Sequence, residues 1–133
     1  MEGFDETDKI ENLKTVHDKI VTWEFEGEKY TLSFENNLFQ VVLSKAKNFV
    51  LILADYAEKG NRNLFIYDAE ASLICNPEMP ESKERILGIY SIWFVEGNEN
   101  QTVVFATSKN ADYDLKCEFS LSDFSFSPIS LTK

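Results

Sequence analysis

The chain has 133 residues, 44% of them hydrophobic and 14% aromatic, and 23 acids against 13 bases give a net charge of −10. That length suits one domain around a single core, and that apolar content excludes a chain too polar to fold. The negative surface repels phosphate backbones, which excludes nucleic acid as the expected partner and favours basic proteins.

The acid surplus is densest at the N-terminus, with nine acids against four bases over residues 1–29. Residues 1–19 read as a polar tail, with a short helix or strand around Ile10–Val16. The opening MEGFDETDKIENLK has acids where a secretory signal carries bases and an apolar stretch. No apolar run reaches membrane-spanning length. A cytoplasmic protein without a membrane partner is the expectation. Next, Ile20–Phe25 and Tyr30–Phe34 each alternate with period two around Glu26-Gly27-Glu28. They predict a hairpin over 20–34 with one wet face.

Two stretches then share one four-strand pattern. The first, 38–77, runs LFQVVLS, FVLILAD, NLFIYD, ASLICNP; the second, 89–130, runs IYSIWFV, TVVFATS, DLKCEFS, FSFSPIS. Val50 aligns with Val103 and Phe65 with Cys117, offsets of 53 and 52 residues. Phe49–Ala54 is continuously apolar, as a strand buried on both faces should be. Trp93 and Phe94 are neighbours in one strand and must point to opposite faces. Turn signals every 8–12 residues predict an all-β antiparallel meander of about ten strands. The whole is one domain, 1–133: two four-strand blade-like units plus the hairpin, arranged as a sandwich or a partial propeller.

Chemistry-bearing patterns are sparse. The single histidine, His17, lies in the polar segment and suits a solvated surface position better than a catalytic one. One His and two separated Cys provide no metal-ligand spacing, and the five glycines form no phosphate cradle, so no cofactor is expected. Cys117 shares a strand face with Leu115 and Phe119 and reads as a small buried hydrophobe. Asp55 and Asp68 end adjacent strands of the first unit and are the one carboxylate pair that a small hydrolase would use. Recognition by surface is the stronger expectation. Its candidate residues are Tyr56, Glu58 and Arg62 in one loop, Asp68 and Glu70 in the next turn, and Asp112, Tyr113 and Asp114 in the matching loop of the second unit. Tyrosines offer contact area at low entropic cost, and flanking acids can engage basic side chains.

Within the first unit, NLFIYDAEASLICNP resembles the outer hairpin of a β-propeller blade. The whole profile resembles the small acidic immunity proteins of bacterial polymorphic toxin and contact-dependent growth inhibition systems. That resemblance implies a non-enzymatic cytoplasmic binder that neutralises a cognate basic, nuclease-type toxin by direct contact. The alternatives are a self-associating structural β-module, hence a homodimer, and the carboxylate-dependent hydrolase.

Overall fold

The computed structural model describes residues 9–83, 85–107 and 114–132. Its elements in chain order are β1 (Glu11–Val16), β2 (Ile20–Phe25), β3 (Glu28–Ser33), β4 (Gln40–Ser44), β5 (Phe49–Leu53), α1 (Tyr56–Lys59), β6 (Leu64–Tyr67), β7 (Leu73–Cys75), β8 (Ile86–Trp93), β9 (Asn100–Thr107), β10 (Asp114–Ser120) and β11 (Ser130–Thr132). The protein is all-β. Three antiparallel meanders are formed, in the orders β1-β2-β3, β4-β5-β6-β7 and β8-β9-β10-β11.

The N-terminal segment is where the sequence reading changes most. Of the short helix or strand expected around Ile10–Val16, the strand forms: residues 11–16 pair with β2 and so belong to the first sheet, not to a polar tail. Ile10 is buried and donates its N–H to Asn48 Oδ1 at 3.0 Å. The hairpin therefore becomes a three-stranded sheet. Its β2–β3 connection is a two-residue turn in which Glu26 (φ 53°) and Gly27 (φ 82°) are both left-handed, the type that matches strand twist. The polar loop after β5 holds one helical turn, with Asp55 at its N-cap accepting the Ala57 N–H. At the C-terminus, the last strand forms at Ser130–Thr132, and within 124–129 only Phe126 bridges, to Phe119.

The three sheets stack face to face, with the middle one buried on both sides. Val50 and Ile52 of β5 join Val21 and Trp23 in one core against the first sheet. Leu51, Leu53, Leu64 and Ile66 join Ile89, Ile92, Val103, Phe105, Cys117 and Phe119 in a second core against the third sheet. Period-two alternation inside an unbroken apolar run serves both cores. Phe94 packs on the second core while Trp93, 50% exposed, faces away, as their adjacency requires.

The sequence repeat survives with one correction. Val50 and Val103 each face the sheet that precedes their own. Val103 lies opposite Cys117, but Val50 lies opposite Tyr67, not Phe65. The third strands are thus offset by two residues from the sequence alignment, a shift that leaves every side chain on its face.

First strands lie together along one side of the stack. Leu38 donates its N–H to Asp18 O in the β1–β2 turn. The Gln40 side chain of β4 donates to Ile92 O and accepts from Ile92 N–H in β8. Asn63, fully buried, does the same for Ile89 and also donates to Ala54 O. These amides satisfy backbone groups that would otherwise be orphaned between two sheets. Gly88 makes the approach feasible: a Cβ there would stand 2.8 Å from Asn63 Oδ1 and 2.9 Å from Tyr56 Cβ.

Candidate functional site

The sequence-selected residues do not converge. Tyr56, Glu58 and Arg62 lie at the end of the middle sheet where β5 leaves and β6 begins, and Asp68 and Glu70 lie beyond the other end of β6. Four strand residues, roughly 13 Å, separate the two groups. Asp55 and Asp68 are divided in the same way, because β5 and β6 are antiparallel and Leu53 pairs with Leu64. The two carboxylates that a hydrolase would pair therefore stand at opposite ends of β6, where Asp55 caps α1 and Asp68 shapes a turn. Asp112 and Tyr113 lie outside the described residues, and Asp114 opens β10.

At the first end, the polar groups hold the chain together. Glu58 accepts the backbone N–H groups of Asn36 (2.8 Å) and Glu35 (3.1 Å), which lower its carboxyl pKa. Its side chain is only 8% exposed. Arg62 donates to Asn76 O at 2.6 Å and reaches Glu78 at 3.9 Å. Tyr56 takes part in an aromatic group that the sequence did not reveal: Phe39 packs edge-on against Tyr56 (5.4 Å between centroids) and against Tyr90 (6.3 Å). Phe39 and Tyr90 come together only because the first strands β4 and β8 are neighbours, so no local pattern announces them.

The opposite end is acidic. Asp68 accepts the N–H groups of Glu70 and Ser72 and shapes a tight turn, while Ala69 O accepts the Trp23 indole N–H at 2.7 Å. Trp23 pairs with Tyr30 across β2 and β3, their rings 6.2 Å apart. This brings the turn to Tyr30. Burial raises the Tyr30 phenol's pKa, and the carboxylates of Glu70, Glu28, Glu26 and Asp68 raise it further. Asp68 and Glu70 were legible as candidates; Glu26, Glu28 and Tyr30 were not, because they read as a turn and a strand.

Other chemistry is quiet. His17 is exposed in the β1–β2 turn. Cys75 and Cys117 are free, and burial pushes the Cys117 thiol up to about 11, away from the thiolate that reactivity needs. Among the described residues, no group of three or more His, Cys, Asp and Glu side chains is placed to hold a metal ion. No helix among them is long and apolar enough to cross a membrane.

The fold and this surface define an all-β protein of three stacked meanders with an aromatic end and an acidic end. No family profile, curated protein or solved structure matches the chain.

Proposed function

We propose that the chain is a non-enzymatic, cytoplasmic binding module that neutralises a basic protein, as an immunity protein blocks a nuclease-type toxin. One observation carries this reading. The Trp23–Ala69 hydrogen bond brings the Asp68–Glu70 turn to the β2–β3 hairpin. Carboxylates from two different sheets, Glu26 and Glu28 on the first and Asp68 and Glu70 on the middle one, therefore share one end of the stack on a chain of net charge −10. Like charges repel one another, and lysines and arginines of a partner would be drawn to that end of the stack. Opposed potentials speed encounter and reject wrong partners more than they add affinity.

The test is to mix the purified chain with the toxin domain encoded by the neighbouring gene, at low and at high salt. A complex that weakens with salt and silences the toxin is expected. Glu28→Lys with Glu70→Lys should slow association about tenfold or more. Asp68 is left intact because it shapes its turn. Absence of a complex at low salt sinks the proposal.

A further inference from the structure

Among the described residues, the first sheet has three strands where the other two have four. First strands line one side of the stack, so the place where the described residues put no strand is beyond β3, the row that β7 and β11 fill in their own sheets. Two features of that row point to an occupant.

The first is the edge itself. Free strand edges invite pairing, and proteins blunt them with bulges, prolines, short strands or covering groups. β1 is bulged between Glu11 and Lys14. β8 has two register shifts, and Asn63 and Gln40 occupy backbone groups of Ile89 and Ile92. β4 sends Gln40 across to β8. β7 and β11 are three residues long, with Pro77 and Pro128 close by. β3 runs six residues in unbroken register with no proline. Its two-residue turn makes Phe25–Glu28 a hydrogen-bonded pair, so by alternation Tyr30 and Leu32 also bond toward β2. Lys29, Thr31 and Ser33 therefore turn their N–H and C=O groups outward, and among the described residues no strand pairs with them.

The second is Leu73. It pairs with Tyr67, whose side chain packs toward the first sheet, so Leu73 points to that side too. It is 52% exposed, under the row where a fourth strand of the first sheet would lie.

We propose that an extended, basic segment of a partner protein adds to β3 as the fourth strand of the first sheet. This rests on the basic-partner reading above. Main-chain bonds to Lys29, Thr31 and Ser33 give the affinity, an apolar side chain covers Leu73, and lysines or arginines reach Glu26, Glu28, Asp68 and Glu70. A second copy of this chain is the poorer occupant, since each copy would bring the same four carboxylates to one seam.

The experiment is an NMR titration of the isotope-labelled full chain with a short peptide of alternating lysine and valine. The same peptide with glutamate in place of lysine is the control. Slowed amide exchange at Lys29, Thr31 and Ser33, with the lysine peptide only, is the expected result. Leu73→Lys, a change at an exposed position, should weaken that binding several-fold. Shifts confined to Glu26, Glu28, Asp68 and Glu70, without amide protection, would overturn strand addition and leave the basic-partner reading standing. No response at all would remove both. Protection that grows with protein concentration before peptide is added would assign the edge to a second copy and overturn the proposal.

Discussion

In the middle sheet, Leu51 and Ile66 stand opposite each other on β5 and β6 and are buried by the third sheet. At the same register in the third sheet stand Val104 and Lys116, and Lys116 Nζ lies 4.2 Å above the ring of half-exposed Trp93. The faces turned toward the preceding sheet are apolar in both units; the faces turned forward differ. A stacked repeat needs an apolar forward face only while another layer follows it. The last layer requires polar groups there to stay soluble. One lysine in place of one isoleucine thus marks where the stack stops.

The sharpest way to break this comparison is to move the lysine. Ile66→Lys puts an ammonium into a fully closed layer with no carboxylate beside it in the core cluster. An unpaired charge there should destabilise by about 4 kcal/mol or more, a large part of the stability of a domain this size. Chemical denaturation monitored at the tryptophans reads it. A loss under about 1 kcal/mol would mean that the middle sheet is not sealed on that side.

This contrast also shows what the sequence could and could not disclose. The unbroken run Phe49–Ala54 announced a strand covered on both faces, and Trp93-Phe94 announced one open face, because strand geometry is local. Lys116 is equally plain to read, yet its meaning depends on its register partner. Aligning Phe65 with Cys117 gets the faces right and the register wrong by two residues, since alternation fixes faces alone. Residues 11–16 read as a short helix or strand within a polar tail, because their strand is held by pairing with β2 and by Ile10 in the core, with little apolar content of its own. The acidic end joins residues about 40 apart in sequence through the Trp23–Ala69 hydrogen bond, a contact that only tertiary structure provides.

The two seams of the stack can be compared through their carboxylates. Glu58 ties the segment linking the first and middle sheets, accepting from Glu35 and Asn36; Glu96 ties the third sheet to the β4–β5 turn, accepting from Lys45 (2.8 Å) and Ala46 (2.9 Å). Backbone N–H donors lower both pKa values below the ordinary 4.5. A carboxyl with a lowered folded pKa adds stability above its unfolded value, and that stability fades as pH falls through the folded one. Stability should therefore be flat at neutral pH and decline below about 4.5. Glu58→Gln and Glu96→Gln should each flatten part of that decline in acid titrations of unfolding. A pH profile unchanged by Glu96→Gln would show that the second seam is held by its apolar core alone.

The smallest effect is expected from the reverse exchange. Lys116→Ile removes the ammonium from above Trp93, an exposed contact of about 0.5–1 kcal/mol. In return, a β-branched residue faces Val104 and packs better on a pleated surface. The two terms nearly cancel, so unfolding should move by no more than about 1 kcal/mol. Association should change instead, because the new isoleucine would stand beside half-exposed Trp93, over buried Val104, and extend the exposed apolar surface there. Sedimentation should show a concentration-dependent species for Lys116→Ile that the parent chain lacks. If the variant loses several kcal/mol, then Lys116 belongs to the packing of the third sheet and is no terminator of the stack. If it stays stable and unassociated, the forward face is closed by more than one lysine, and the contrast with Ile66 lies in the whole strand.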